Sequence, residues 1–416
     1  MPSADASPFA PADVRAIAGR IPAAVLRVLE ELDRAGHAAF LVGGCVRDLL
    51  QGLTVRDFDV ATAAAPERVL ELFPRAVPTG LRHGTVMVPT PVGPVDVTSF
   101  RAGPELADDL AHRDFTVNAI AWDPREERIV DPFGGRADLA AGRLRAVGAA
   151  ADRLAEDPLR ALRAVRLAAV LGLTLDTGLE AALAAAAPRL RDVARERVRR
   201  ELEGLLLAPG AGAGLARLRR CGLEAVLVGE TSPDAPAVVA ALPHDLVLRL
   251  AGWLRGLRAR PLLGRLRFPR RVAAAAAELL LHHPVDAGVL PESDTSVRRM
   301  LKRVGEEHVD PLIALREAEL TAAAPCAERD AALRTLAALR AAVERVRRSG
   351  TLALRRLDLA LDGRAVMQIL GCGPGREVGR ALRALTEAVV EDPGCNTPEG
   401  LRQRLRAWKA AGSPSA

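Results

Sequence analysis

Two aspartates, Asp57 and Asp59, are separated by a single residue in a segment that alternates polar and apolar side chains. Residues 55–60 are predicted to form a strand, and side chains at positions i and i+2 of a strand point to the same face. Neighbouring carboxylates repel each other unless a cation lies between them. Because Mg²⁺ is typically bound by one or two carboxylates together with substrate phosphates, the spacing indicates a magnesium site. The alternative is a solvated pair on an exposed strand edge.

A glycine pair precedes this strand. Gly43 and Gly44 follow an apolar run predicted as a strand (38–42) and precede a predicted helix (45–50). Glycine lets the backbone approach a phosphate closely, and the first amides of a helix attract anions. Each feature is weak alone. At this spacing the glycines and aspartates together indicate a site for a nucleoside triphosphate and its metal.

These residues resemble the first motif of the polymerase-beta-type nucleotidyltransferases, specifically of the bacterial tRNA nucleotidyltransferase and poly(A) polymerase family. The family pattern is G-G-x-V-R-D followed by D-x-D, and the matching residues are Gly43, Gly44, Val46, Arg47, Asp48, Asp57 and Asp59. The resemblance implies that Asp57 and Asp59 bind Mg²⁺ and are catalytic. It also implies that the glycine pair and Arg47 contact the nucleotide, and that the reaction is a two-metal phosphoryl transfer.

A third acidic residue, Asp96, lies on the second strand of a predicted hairpin formed by residues 83–88 and 95–100. In such a sheet Asp96 could lie beside Asp57 and Asp59. Its position resembles that of the family's acidic residue before T-T-F-R, which implies a catalytic role. The alternative is an exposed carboxylate on the strand.

The segment HRDFTVNAIA at residues 112–121 resembles the family's second motif, R-R-D-F-T-x-N-A. The resemblance implies that Arg113 contacts phosphate and that Asp114 and Asn118 bind the ribose hydroxyls. An aspartate and an asparagine together supply the acceptors and donors that a vicinal diol needs. His112 replaces the first arginine of the motif, which removes one expected cation. Without the family, Asp114 would be interpreted as a helix N-cap.

A second centre lies in EDPLRALRAVR, residues 156–166, where Asp157 and a proline begin a predicted helix that carries Arg160, Arg163 and Arg166. The segment resembles the family's nucleotide-selecting motif, E-D-x-x-R. The resemblance implies that Asp157 and Arg160 pair with the edge of the incoming base in place of a template. It implies that Arg163 and Arg166 support the base or the triphosphate. The alternatives are a solvated basic face and a purely structural N-cap.

Composition and length favour a large, mostly helical protein. The chain has 416 residues, 49% hydrophobic content, only 3% aromatic residues and a net charge of +6, which suits a polyanionic partner such as tRNA. The family resemblance implies an α+β fold, with a mixed α/β nucleotidyltransferase head followed by an all-helical neck, body and tail. The predicted parts are a disordered N-terminus (1–20), the catalytic head (21–150), the neck (151–210) and an RNA-binding body and tail (211–416). Within the tail, residues 357–401 resemble the family more loosely.

Compartment and local structure complete the prediction. Five scattered cysteines without a C-x-x-C pair favour neither disulfides nor zinc, and no apolar stretch suggests a membrane span or a signal peptide, so a cytoplasmic protein is expected. Further predicted elements are a helix at 14–35, a helix at 66–73 and a tight turn at 371–375.

Residues 255–271 contain seven arginines and no acid, which makes them a candidate contact for RNA phosphates. Genomic bias toward arginine is the alternative.

The stretch between the motifs bears on which family member this is. Only eleven residues separate Arg101 from Arg113, whereas relatives that add a complete CCA end resemble one another in carrying a longer flexible loop here. The resemblance therefore implies addition of two C residues to tRNA from CTP, with ATP as a further donor only if the CCA end is completed. The turn at 79–85 resembles the tRNA branch. A complete CCA-adding enzyme, a poly(A) polymerase and a non-catalytic RNA-binding protein are the alternatives.

Overall fold

In the computed structural model, residues 17–55, 57–80, 84–349 and 358–412 are described. Contacts within the chain divide it into two units, which meet in sequence between Glu230 and Thr231. The first unit contains a sheet and helices, and the described residues of the second contain helices but no strand. The predicted α+β architecture is confirmed. This boundary lies beyond residue 211, where the helical body was predicted to begin, and the finer domain limits stay predictions.

The head is built from a sheet and short helices. In chain order its elements are α1 (Ala23–Arg34), β1 (Ala39–Val42), α2 (Gly44–Leu50), β2 (Phe58–Thr62), α3 (Pro66–Leu72), β3 (Val77–Gly80), β4 (Thr85–Thr90), β5 (Gly93–Ser99), α4 (Leu106–Ala111), a 3₁₀ turn (Thr116–Asn118), β6 (Ala121–Asp123), β7 (Arg128–Val130), α5 (Gly135–Ala140) and β8 (Arg143–Leu144). The rest of the first unit comprises α6 (Ala150–Glu156), α7 (Leu159–Leu171), β9 (Thr174–Leu175), α8 (Thr177–Ala186), a 3₁₀ segment (Ala187–Asp192), α9 (Arg195–Leu206), α10 (Ala211–Arg220) and α11 (Leu223–Leu227).

The second unit is helical in its described part. Its elements are α12 (Ala235–Ala241), α13 (Leu246–Trp253), α14 (Ala259–Arg265), α15 (Arg270–Leu281), α16 (Asp294–Val304), α17 (Glu306–Ala322), α18 (Ala327–Arg348), α19 (Gly363–Leu370), α20 (Arg376–Glu391), a 3₁₀ turn (Pro393–Cys395) and α21 (Pro398–Ala410). One apolar core joins helices α12, α13 and α15 to α18, and a separate core joins α19 to α21. No helix among the described residues has the length and apolar character needed to cross a lipid bilayer.

Seven strands form the sheet of the head in the order β3-β4-β5-β2-β1-β6-β7. The pairing of β2 with β5 is parallel, and the other pairings are antiparallel. Val60 on β2 and Val97 on β5 are fully buried, so the side chains that alternate with them point to the opposite face. Helix α1 packs on the sheet through its apolar face. Val25, Val28 and Leu32 of this face recur at helical spacing and are buried.

Pro22 divides the N-terminal helix that the apolar pattern predicted over 14–35. Ile17 and Ala18 are helical, a turn follows, and α1 starts at Ala23 because Pro22 has extended backbone angles and occupies its N-cap. Residues 1–16 lie outside the described part of the chain, but the predicted disorder up to residue 20 is wrong for its last residues. Ile17 is fully buried, and Arg20 donates to the carbonyl of Leu49 at 2.8 Å.

The strands of the head also differ from their predicted limits. The strand expected over 55–60 runs instead from Phe58 to Thr62, so Asp57 lies just before it. Its extent is set by its partners, because both β1 and β5 pair with it as far as Thr62. The hairpin strands are Thr85–Thr90 and Gly93–Ser99. Residues 81–83, part of the turn assigned to the tRNA branch, lie outside the described residues.

The basic segment 255–271 is not a uniform surface. Arg255 is buried and donates to Asp234 and Glu319 at 2.7 Å each, so its predicted contact with RNA phosphates is wrong. His283 also bonds to Glu319, at 3.0 Å. The hydrogen bond with His283 is the largest cause that lowers the pKa of Glu319, to about 2, and the neighbouring arginines contribute. The other six arginines of the segment are exposed.

Candidate active site

Two of the predicted catalytic carboxylates lie side by side across parallel strands. The register pairs Asp59 of β2 directly with Asp96 of β5, so their side chains point to the same face of the sheet. Asp57 precedes β2 and is exposed, as is Asp96, whereas Asp59 is half-buried. The fold thus brings together three carboxylates that are separated by up to 39 positions in sequence.

The charges of these carboxylates act on one another. Burial raises the pKa of Asp59, the Arg113 guanidinium opposes this shift, and the charges of Asp96 and Asp57 add to it. Burial also raises the pKa of Asp96, and the charge of Asp57 contributes. Mutual repulsion of this kind is relieved by a cation placed between the carboxylates.

The donor set of this face suits a hard divalent cation that is shared with a substrate. Carboxylate oxygens are the ligands that Mg²⁺ prefers, and Mg²⁺ commonly takes only one or two of them from the protein. Among the described residues no three acidic, histidine or cysteine side chains converge into a complete metal cage. Two aspartates therefore fit a metal whose remaining ligands come from substrate phosphates and water.

Gly43 lies beside both Asp59 and Arg113, the arginine of the second motif. Its φ of +81° lies in the region that glycine favours, and a Cβ there would lie 2.7 Å from Nη1 of Arg113 and 3.8 Å from Oδ2 of Asp59. A side chain at this position would displace Arg113. Gly44 follows as the first residue of α2. The glycine pair thus lets an arginine, a carboxylate and the backbone share one small space.

Arg113 is held from behind by Asp109, a residue that the sequence analysis missed. The carboxylate of Asp109 is fully buried, and its Oδ2 accepts from Nε and Nη2 of Arg113 at 3.1 and 2.9 Å. Arg101 approaches the other oxygen at 3.8 Å. Asp109 lies on α4, so this helix connects both ends of the segment between Arg101 and Arg113. An acid four residues before the motif's arginine was the available signal.

Arg47, Asp114 and Asn118 form a buried hydrogen-bonded group. Arg47 donates to Oδ1 of Asn118 at 2.5 Å, and Nδ2 of Asn118 donates to Oδ1 of Asp114 at 3.0 Å. Arg47 also pairs with Asp48 at 2.7 Å. All three predicted residues are more than nine-tenths buried. In this state Arg47 donates to Asp48 and Asn118, and Asp114 accepts from Asn118, from the amide of Phe115 and from Arg163.

Helix α7 and Asp157, two residues before it, carry the predicted base-reading residues, and each is paired with a group of opposite charge. Nε of Arg163 lies 3.0 Å from Oδ2 of Asp114. The charge of Asp114 is the largest cause of the raised pKa of Arg163. The remaining pairs are Arg160 with Glu156, Arg166 with Glu201 and Asp157 with Arg197, at 2.7, 2.6 and 2.7 Å. The arginine face of α7 is therefore matched by acids rather than simply solvated.

Asp157 has two structural contacts as well as its predicted role. One oxygen accepts from the amide of Leu159 at 3.1 Å, as an N-cap does, and the other accepts from Arg197 on α9. Arg160 donates to the carbonyl of His112 at 3.3 Å. This bond and the Arg163 pair bring α7 to the second motif. Arg197 was not among the residues that the sequence predicted for this site.

A buried carboxylate, Asp138, anchors the turn that contains Asn118. It accepts from the hydroxyl of Thr116 at 2.6 Å and from Nε of Arg143 at 2.7 Å. Gly135 packs so closely that a Cβ there would lie 2.1 Å from the carbonyl oxygen of Thr116. The segment DPFGG, residues 131–135, thus supports this turn.

Two family models match this chain. The model described as "Poly A polymerase head domain" matches residues 39–145, which hold the carboxylates and the second motif. The model described as "Probable RNA and SrmB- binding site of polymerase A" matches residues 172–234, which follow α7.

Curated relatives are similar over half of the chain or more. A CCA-adding enzyme of Geobacillus stearothermophilus is 32% identical over 406 residues, which cover 92% of this chain and 95% of that protein. A CC-adding tRNA nucleotidyltransferase of Shouchella clausii is 42% identical over 209 residues, which cover 50% of this chain and 55% of that protein.

Solved structures agree with the fold. The CCA-adding enzyme of Bacillus stearothermophilus in complex with CTP superposes with a TM-score of 0.78 at 31% identity, covering 94% of this chain and 98% of that one. The Thermotoga maritima CCA-adding enzyme complexed with tRNA gives a TM-score of 0.68 at 19% identity, covering 95% and 98%. The latter likeness concerns the fold alone.

Proposed function

Because this chain belongs to the family of bacterial CCA-adding enzymes and poly(A) polymerases and is a template-independent RNA nucleotidyltransferase, we propose that it adds cytidylate residues from CTP to the 3′ end of tRNA. The observation that carries the proposal is the group formed by Asp59, Asp96, Gly43 and Arg113. It combines a carboxylate pair for a metal with a guanidinium for a triphosphate. The names of the similar enzymes, and the CTP in the complex of the Bacillus stearothermophilus enzyme, support these substrates.

In this proposal Asp57 and Asp59 hold Mg²⁺, with Asp96 as the third carboxylate. A metal ion held there would neutralise charge on the phosphates and would lower the pKa of the attacking 3′-hydroxyl of the RNA. Arg113 orients the triphosphate from the Gly43–Gly44 side, where the absence of a side chain leaves it access. Positioning and charge stabilisation account for most of the catalysis of phosphoryl transfer.

The base is selected in this proposal by Asp157 and Arg160. A carboxylate accepts from the exocyclic amine of cytosine, and a guanidinium donates to its ring and carbonyl acceptors. Uracil lacks that amine and would leave buried polar groups unpaired, at about 1–3 kcal/mol each. Arg197 keeps Asp157 in place before the base arrives. Ribose binding by Asp114 and Asn118, and phosphate binding by Arg47, require their internal hydrogen bonds to be shared or exchanged.

We further propose that addition stops after two cytidylates. A pocket sized for cytosine must be rearranged to accept adenine, which requires a segment with two stable positions. Helix α4 takes up six of the eleven residues between Arg101 and Arg113. Asp109 then ties that helix to Arg113. Few residues of this stretch are left to form a segment that could move between two positions. Complete CCA addition is the second candidate, favoured by the similarity along nearly the whole length of the Geobacillus stearothermophilus enzyme.

The test uses tRNA transcripts that end at the discriminator base, incubated with CTP and ATP singly and together. Sequencing of the products is expected to show two added cytidines and no terminal adenosine. Efficient addition of adenosine to a transcript ending in CC, by enzyme free of host nucleotidyltransferases, would establish the complete reaction instead. Absence of any addition in the presence of Mg²⁺ would overturn the proposed activity.

A further inference from the structure

Three arginines of helix α20 line one cavity in the second unit. Arg376, Arg380 and Arg383 are spaced by four and three positions, so they lie on one face of the helix. Together with Gly379 they border a cavity of about 450 Å³. The tight turn at 371–375 precedes them directly. This face, Arg376–Gly379–Arg380–Arg383, is called the α20 arginine face.

The charges of the α20 arginine face are not neutralised within the described part of the chain. None of the three guanidinium groups has a hydrogen bond or a carboxylate within 4.0 Å there, and Nε of Arg380 is buried without a partner. Of the three acids of the same helix, Glu377 is within 4.0 Å of none of these guanidinium groups, and the other two are engaged elsewhere. Glu387 pairs with Lys302 of α16, and Glu391 pairs with Arg299 at 2.8 Å.

This arrangement is unfavourable for the protein alone. Three like charges on neighbouring turns repel each other. Arg376 is also the first residue of the helix, where the macrodipole disfavours a cation. Gly379 leaves the surface between them open, since the atom nearest to its missing Cβ is Nη1 of Arg383 at 3.9 Å. An anion seated on this face would remove both costs.

We propose that the α20 arginine face binds backbone phosphates of the RNA substrate. Arg376 and Arg383 are seven residues apart, which corresponds to about 10 Å along the helix axis. That span exceeds one phosphate group and suits successive phosphates of a strand. Guanidinium groups also recognise phosphate by paired hydrogen bonds. The inference rests on the proposed function, since it takes the RNA as the ligand. It assigns phosphate recognition to a segment other than 255–271.

The test compares the full chain with the variant Arg376→Ser/Arg380→Ser/Arg383→Ser. Direct binding of a tRNA transcript is measured from low to moderate salt, and the logarithm of affinity is plotted against that of salt concentration. The slope is expected to fall by about two to three, roughly one for each lost phosphate contact. The KM for tRNA should rise by about tenfold or more, while kcat and the KM for CTP stay within about twofold.

Two further variants make the result specific. Arg376→Lys/Arg380→Lys/Arg383→Lys retains the charge and should retain most of the slope. The control Arg34→Ser/Arg68→Ser/Arg340→Ser removes the same net charge from exposed arginines that pair with glutamates, and it should leave the slope unchanged.

An unchanged slope in the α20 serine variant, with native thermal stability and activity, would overturn the inference. So would an equal loss in the control, because it would show dependence on net charge alone. Failure of the proposed function is seen separately, as lack of nucleotide addition by the unaltered chain.

Discussion

Replacement of Asp109 tests whether a residue remote from the substrate positions Arg113. Its carboxylate is fully buried, and it makes two hydrogen bonds to a guanidinium that is 13% exposed. Loss of one partner from a buried ion pair costs about 3–5 kcal/mol of stability. Asp109→Ala is therefore expected to unfold at a clearly lower temperature. Asp109→Asn keeps the shape and should be destabilised less.

The kinetic effect of Asp109→Asn follows from the same two bonds. Hydrogen bonds to charged groups contribute about 1.5–3 kcal/mol. If that energy holds Arg113 against the triphosphate, kcat/KM for CTP should fall roughly ten- to a hundredfold. The KM for tRNA should hardly change, because Asp109 is buried behind Arg113. Steady-state kinetics with varied CTP, performed well below the melting temperature of the variant, measures both quantities.

Asp108→Asn is the matched control. Asp108 is the neighbouring acid on α4. Its carboxylate accepts from the amide of Glu105 at 3.3 Å and makes no hydrogen bond or ion pair with the second motif among the described residues. Its loss should cost about 1 kcal/mol of stability, as for a helix cap, with CTP kinetics intact. A folded Asp109→Asn enzyme with kcat/KM for CTP within about twofold of the unaltered enzyme would refute the positioning role.

Three further outcomes are expected. Asp57→Ala should abolish nucleotide addition while tRNA affinity stays within a few-fold, and near-normal turnover would contradict the metal assignment. Asp157→Ala should lose about tenfold or more of its discrimination against UTP, and Arg197→Ala should lose part of it. Reduced thermal stability with intact selectivity would leave Asp157 only as a helix cap. The pKa of Glu319 is about 2 in the folded chain against an ordinary 4.5, so the stability that this carboxylate contributes above pH 4.5 is lost as the pH falls toward 2. Urea unfolding at about pH 5 and about pH 3 should therefore show a smaller loss of unfolding free energy in Glu319→Gln than in the unaltered chain.

Local patterns were sufficient to place several parts of the site. The alternation of β2 and β5 is set by the two-residue period of a strand, so Asp59 and Asp96 could be assigned to the exposed sides of their strands. The glycine pair and the second motif were likewise visible in the sequence. The late start of α1 was also visible in principle, because Pro22 disfavours helical backbone in the residue before it.

Other parts depended on contacts that no local pattern contains. The start of β2 is fixed by its partners in the sheet, which leaves Asp57 outside the strand. The importance of Asp109 comes from its burial beside Arg113, and burial is decided by the packing of α4 on the sheet. Arg255 was predicted to contact RNA at the surface because of its charge. In the structure its guanidinium forms ion pairs with Asp234 and Glu319, which are distant in sequence.

The parallel pairing of β2 with β5 also determines how the site is lost on heating. Asp59 and Asp96 are separated by the interstrand spacing, about 4.8 Å between backbones, and not by a loop that could drift. The strands β3 and β4 lie outside β5 in the sheet, so they can fray first without parting the two carboxylates. Slow amide hydrogen exchange in β2 and β5 should therefore persist for as long as activity does. Thermal inactivation then reports the opening of this strand pair, even when the helices of the second unit melt at another temperature.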